Sequence, residues 1–192
     1  MSRINFERFF KTEKQKQFST DFFKNAQYYE TWDEIDFSSL KEIDAENTFE
    51  IKAEDLKAYA EGALDSNPLM VDEEYAKNSP YGGLVAHPIF LTQIAMWCIG
   101  IKDRGNWART PGARNPGQEI EIYEPFRVGE VIHLKMSPYD RFIKRKKCYL
   151  KYKYEFYNQD NVKKAMWIAT LILPKTKEDV MKFVEGIRAL EA

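Results

Sequence analysis

HPIFLTQIAMWCIGIK, residues 87–102, is apolar on nearly every side. A surface helix keeps a polar stripe; one that is apolar all round is normally buried. Pro88 suits the first helical position, where the missing N–H leaves no intrahelical bond unmade, so His87 falls just outside the helix. After residue 117 the period changes. QEIEIYEPF (118–126), GEVIHLKMSPYDRF (129–142), KKCYLKYKYEFYN (146–158) and VKKAMWIATLIL (162–173) read as four strands. In the third, Cys148, Leu150, Tyr152, Tyr154 and Phe156 alternate with Lys147, Tyr149, Lys151, Lys153 and Glu155, which predicts one buried face and one wet face. Asn158-Gln159-Asp160-Asn161 supplies the turn that follows. One buried helix followed by a run of antiparallel strands predicts an α+β fold, with a long central helix wrapped by a curved antiparallel sheet.

Working outward, ENTFEIK (46–52) reads as a short strand and AEDLKAYAEGA (53–63) as a helix. Leu56, Tyr59 and Ala60 share one face of that helix, and Glu54 and Asp55 suit its first turn. Residues 65–83 hold turn chemistry at Asn67-Pro68 and Gly82-Gly83, with a short helix expected from Asp72. DRGNWARTPGARNPG (103–117) reads as a polar loop. Residues 1–40 form an N-terminal helical extension rich in aromatics (Phe6, Phe9, Phe10, Phe18, Phe22, Phe23, Tyr28, Tyr29, Trp32), expected to pack onto the domain or onto a partner. The domain itself is placed at 41–175, and an amphipathic C-terminal helix within 176–192.

With 192 residues, 44% of them hydrophobic, the chain suffices for one domain with a sizeable core. Twenty-nine basic against 30 acidic side chains leave a net charge of −1, which gives no overall pull toward nucleic acid or an anionic membrane. No run approaches the roughly 18 apolar residues of a membrane span. The charged opening, MSRINFERFFKTEKQ, does not read as a signal peptide, so a cytoplasmic protein is expected. Cys98 and Cys148 read as buried reduced thiols; no CxxC or HxxxH spacing points to a metal, and no cofactor is expected.

Three blocks, in order, carry a family resemblance. The first runs from Tyr59 through Asp65-Ser-Asn67-Pro68-Leu69-Met70-Val-Asp72 to Tyr75-Ala76. The second is Gly82-Gly83-Leu84-Val85-Ala86-His87-Pro88-Ile89-Phe90. The third is Gly117 to Glu130, with Pro125 and Gly129-Glu130, followed by the late hairpin at Tyr157–Asp160. Together they resemble the MaoC-like enoyl-thioester hydratases over about residues 40–173. The resemblance implies a hot-dog fold and side-by-side pairing into a homodimer or heteromer with another MaoC-like subunit. It also implies acyl-CoA or acyl-carrier-protein thioesters as substrates, in fatty acid or steroid metabolism. The implied reaction is reversible addition of water across an enoyl thioester. It needs a carboxylate and an imidazole on one water, a backbone N–H for the enolate-like oxygen, and an apolar acyl slot.

Carried over by position, Asp65 matches the catalytic carboxylate and Asn67 the motif asparagine, which more often shapes the turn. Met70 stands where the family carries its catalytic histidine, and Pro88 where a glycine commonly supplies the oxyanion N–H. A thioether transfers no proton and a proline donates none. His87 is the candidate substitute base; a structural histidine preceding a buried helix is the alternative. His133 reads as a strand residue. Met70, Tyr75, Gly83, Pro88, Ile89 and Phe90 are expected around the substrate. Arg109, Arg114, Lys144 and Arg145, with Arg104 and Arg141 nearby, are candidates for the CoA phosphates; a solvated hairpin end is the alternative for the 141–147 run, and a loop that orders only on dimerisation the alternative for 103–117. The two departures resemble the divergent subunit of heteromeric dehydratases. The expectation is therefore a subunit paired with a second MaoC-like chain that carries the intact Asp/His pair. A self-sufficient homodimeric hydratase and a non-catalytic acyl-CoA-binding module are the alternatives.

Overall fold

The computed structural model describes residues 9–17, 29–100 and 105–191. Its elements are α1 (Glu13–Gln17), β1 (Ile43–Asp44), β2 (Phe49–Glu50), α2 (Ala53–Gly62), α3 (Pro68–Val71), α4 (Glu73–Lys77), α5 (Leu91–Ile99), β3 (Arg114–Ile122), β4 (Val131–Lys144), β5 (Lys147–Tyr157), β6 (Lys163–Leu173) and α6 (Lys177–Glu191). The strands lie in the order β1-β4-β5-β6-β3, all neighbours antiparallel, with β2 also on β4.

The alternation in β5 does what its period requires. Cys148, Leu150, Tyr152, Tyr154 and Phe156 are all buried, while the residues between them are half-buried or exposed. Against this face lies α5, with Leu91, Ile94, Ala95, Cys98 and Ile99 buried. Aromatic rings fill the space between: Tyr154 stacks on Trp167 at 4.8 Å, and Phe126 meets Phe156 edge-on at 5.8 Å. Such ring pairs add to the gain from buried area itself. The hydroxyl of Tyr154 donates to the Gly105 carbonyl at 3.1 Å, so its burial leaves no unmade bond there. Both cysteines are free and buried, and burial pushes the Cys98 thiol up to about 12.

The expected buried helix opens later than its apolar run. Pro88–Phe90 is a 3-10 turn, and the α-helix starts at Leu91. It stops at Gly100, whose φ of 66° is the left-handed region; a Cβ there would stand 2.9 Å from the Glu46 carboxylate. The strand expected over 46–52 shrinks to the two residues of β2.

The larger correction concerns residues 103–117, expected to be a polar loop. Residues 106–109 form a 3-10 turn with Asn106, Trp107 and Arg109 buried, and the chain is already in strand from Arg114. Trp107 packs edge-on against Tyr152 at 4.9 Å, so one large apolar ring pulls a polar stretch into the core. Pro116 lies within β3, an edge strand with a register shift between Arg114 and Gly117, where a missing N–H costs least.

The N-terminal extension does pack on the domain where it is described. Tyr29, Trp32 and Ile35 are buried, and the Trp32 and Asp33 N–H groups donate to the Pro174 and Lys175 carbonyls. Arg141 lies 4.0 Å over the Trp32 ring and donates to its carbonyl at 2.7 Å. Phe6, Phe18, Phe22, Phe23, Tyr28 and Arg104 lie outside the described residues.

Candidate active site

The turn after α2 positions Asp65. Ala63 caps the helix, Leu64 takes a left-handed φ of 55°, and the Leu64 and Asp65 N–H groups bond back to the Glu61 and Ala60 carbonyls at 3.1 and 2.9 Å. A branched residue in that conformation costs on the order of 1–2 kcal/mol relative to glycine. Leu64 offsets none of it by burial, being 93% exposed. Asp65 Oδ1 then accepts the Asn67 N–H at 3.0 Å, and Asn67 Oδ1 accepts the Leu69 N–H at 3.1 Å. Asn67 is thus the N-cap of α3, with Pro68 at its first position. Asp72 closes α3 and caps α4 by accepting the Glu74 and Tyr75 N–H groups.

The three sequence blocks meet in space. The Val85 N–H donates to Leu69 at 3.0 Å, the Ala86 N–H to Phe126 at 2.9 Å, and Val85 bridges Arg127. Behind them, Glu130 accepts from the Arg127 N–H at 2.9 Å, the Lys164 ammonium at 2.7 Å and the Asn158 amide at 3.4 Å. A carboxylate with three donors satisfies the buried Lys164 charge and clamps the late hairpin to the third block.

This lattice brings His87 against Asp65. His87 Nδ1 accepts the Ile89 N–H at 3.1 Å, which caps the 3-10 turn. A nitrogen that accepts carries no proton, so the neutral ring holds its proton on Nε2. Nε2 lies 3.9 Å from Asp65 Oδ2, with the side chains 26% and 31% exposed. That gap is too long for a direct hydrogen bond and close enough for one water to touch both groups. The Tyr59 ring lies 5.5 Å from the imidazole and 5.2 Å from Phe90. Burial raises the Tyr59 phenol above its ordinary value. Tyr59 also lines a cavity of about 320 Å³, together with Phe49, Phe90 and Trp97 of the domain, Phe9 and Phe10 of the extension, and polar side chains that include Lys14, Asp55 and Gln93.

The other expected site residues are spread more widely, apart from Phe90, which lines the cavity beside Tyr59. Met70 is 8% exposed, and Phe90 is buried in the core cluster. Ile89 is 37% and Tyr75 55% exposed. Gly82, with φ of 71°, is the left-handed residue of its turn, whereas a Cβ on Gly83 would meet nothing. Arg109 is a correction. It is 6% exposed and donates to the Met96 carbonyl at 2.7 Å, so its guanidinium braces α5 instead of facing solvent phosphate. Burial lowers its pKa. Arg114 pairs with Ile172, and Lys144 and Arg145 form the β4–β5 tip beside Leu173. The site turn docks at Phe126–Arg127, near Ala165 and Val131. These cations therefore stand at the opposite end of the sheet from Asp65 within one chain. Tyr59, Phe49 and Trp97 were missed as site residues. The available signal was the Leu56–Tyr59–Ala60 face, since a helix face carrying a tyrosine needs a partner for its ring.

The family described as "FAS1-like, dehydratase domain region" matches residues 41–166, more than half of the chain. The chain belongs to this MaoC-like dehydratase family. It is 26% identical over 101 residues to the 3-hydroxybutyryl-CoA dehydratase of Methylorubrum extorquens, a stretch covering 53% of this chain and 61% of that relative. Less than two thirds of the relative is therefore spanned. Among solved structures, the chain is similar to R-hydratase PhaJ1 from Pseudomonas aeruginosa, with a TM-score of 0.60 at 18% identity, covering 76% of this chain and 86% of that one. It is also similar to the (3R)-hydroxyacyl-ACP dehydratase HadBC complex of Mycobacterium tuberculosis, with a TM-score of 0.60 at 18% identity, covering 69% and 95%. At such identities the likeness shows the fold, which is hot-dog. No helix among the described residues is long and apolar enough to cross a membrane, and no group of three or more His, Cys, Asp or Glu side chains there converges as a metal site.

Proposed function

We propose that the protein is an enoyl-thioester hydratase, run in reverse as a 3-hydroxyacyl-thioester dehydratase, with Asp65 and His87 as its working pair. The observation that carries this is the 3.9 Å approach of His87 Nε2 to Asp65 Oδ2, next to an aromatic cavity. A water touching both groups donates one proton to the Asp65 carboxylate as its oxygen bonds to the β-carbon. The double-bond electrons move toward the thioester oxygen, and Asp65 returns the proton to the α-carbon. The sum is addition of H and OH, with no charge left behind. His87 donates from Nε2 to the water oxygen and orients it; the proton traffic runs through Asp65.

A second reading has its own support. Pro88 has no N–H, and the Ile89 N–H is engaged by His87, so neither donates to a developing enolate oxygen. Losing one oxyanion donor costs about 10²–10³ in rate. Pairing with a second MaoC-like chain that brings a complete site would compensate, and the fold is shared with a heteromeric dehydratase.

The test is loss of enoyl-thioester absorbance when the purified chain meets short, medium and bulky enoyl-CoAs. Turnover that falls by about 10²-fold or more in Asp65→Asn and His87→Ala supports the pair. Turnover unchanged in both variants overturns it. Activity that arises only with a second hot-dog chain supports the heteromer. Acyl-CoA binding with no turnover under either condition leaves a binding module.

A further inference from the structure

The cavity beside Tyr59 is not closed by the hot-dog domain. Its outer wall comes from residues 9–17, which lie outside the family match at 41–166. Phe10 and the 57% exposed Phe9 line the cavity together with Tyr59, Phe90 and Trp97, and Thr12, also in its lining, is 3% exposed. Two ion pairs hold this strap, both to α2. Lys11 pairs with Glu61. Lys14 meets Asp55 Oδ2 at 2.5 Å, with the two side chains 17% and 4% exposed, and its ammonium lies 4.7 Å over the Phe49 ring. Asp55 Oδ2 also accepts the Lys52 N–H at 3.1 Å at the start of α2. The strap is therefore fastened near both ends of the helix that carries Tyr59 and leads into the Asp65 turn.

We propose that this N-terminal strap is the end wall of the acyl slot and sets the longest acyl chain the protein takes, with Phe10 as the residue that decides it. The inference rests on the reading given under Proposed function. The chemistry of the wall names the class. Six of the eleven lining side chains are rings; Lys14 is neutralised by Asp55, and the Thr12 hydroxyl and the Gln15 amide oxygen each accept the other residue's backbone N–H, so the lining offers no unpaired charge to a charged tail. The chain taken is an unsubstituted aliphatic one that starts at the Asp65–His87 pair, passes Tyr59 and ends against Phe10. Each methylene buried in such a slot adds about fourfold in affinity until the slot is full.

The test titrates saturated acyl-CoAs, from butanoyl to hexadecanoyl, into the full chain, with Phe10→Ala and Phe10→Trp alongside; thermal melts confirm that all three fold. In the parent chain, affinity is expected to climb with length and then level. Phe10→Ala moves the levelling point to longer chains and Phe10→Trp to shorter ones. A levelling point common to all three proteins, or affinity that climbs without levelling in the parent, overturns the strap as the wall while leaving the acyl-thioester reading intact. Failure of every acyl-CoA to bind the parent chain removes that reading and this inference with it.

Discussion

The β4–β5–β6 ladder and the segment from Tyr59 to Phe90 are held together by different physics. The ladder is held by ring and aliphatic burial spread over many residues, with Tyr152, Leu150, Phe156 and Ile132 all essentially inaccessible. The site segment has three short elements, α3, α4 and the Pro88–Phe90 turn, each capped by one polar side chain: Asn67, Asp72 and His87. Burial is non-directional and sums over area; a cap is directional and contributes about 1 kcal/mol. The ladder therefore supplies stability and the segment supplies geometry. A small change in the segment is expected to move Asp65 and His87 while the ladder stays folded.

Four substitutions probe that division. Phe156→Ala, in the ladder, is expected to lower unfolding free energy by about 3–5 kcal/mol in urea titration; a loss below about 1 kcal/mol would break the comparison. Asn67→Ala removes a cap and is expected to cost about 1 kcal/mol. The Asn67 N–H that Asp65 accepts is kept, but the Leu69 N–H loses its acceptor and the start of α3, which fixes the Asp65 turn, loosens, so kcat on an enoyl-CoA should fall beyond what lost stability explains. Leu64→Gly relieves the left-handed strain and is expected to raise stability by about 1 kcal/mol, read as a higher Tm.

The smallest effect is on the outer face of the ladder, at Glu155. Burial alone raises its pKa, but hydrogen bonds from Lys163 and Lys153 outweigh this and hold it below the ordinary value. A carboxylate lowered in the folded state stabilises above its unfolded pKa and loses that contribution as pH falls through its folded one. The parent chain is thus expected to lose slightly more stability than Glu155→Gln between pH near 5 and pH near 3, by tenths of a kcal/mol; parallel pH profiles of Tm would count against it.

Much of this was legible in the chain itself. Period-two alternation places each β5 side chain on its face without reference to any other strand. Pro88 marks the start of the buried run, and Asn67 and Asp72 announce their caps by residue type and spacing. What was not legible came from contacts between distant positions. Residues 103–117 look polar by count, yet one ring, Trp107, finds Tyr152 and carries Arg109 inside with it. The identity of Arg109 as a cation says nothing about whether its guanidinium meets a phosphate or the Met96 carbonyl.

By itself, then, the sequence determined the buried helix, the four long strands and their order, the MaoC-like motif and the absence of its histidine and glycine, because each is written in a few neighbouring residues. Only the tertiary structure decided that His87 turns its Nε2 toward Asp65, and that Lys14 fastens the N-terminal strap to Asp55 across a separation of 41 residues. Local propensity acts within a turn or a strand. Which side chains share a cavity depends on the path of the whole chain, and that path is settled by burying the core.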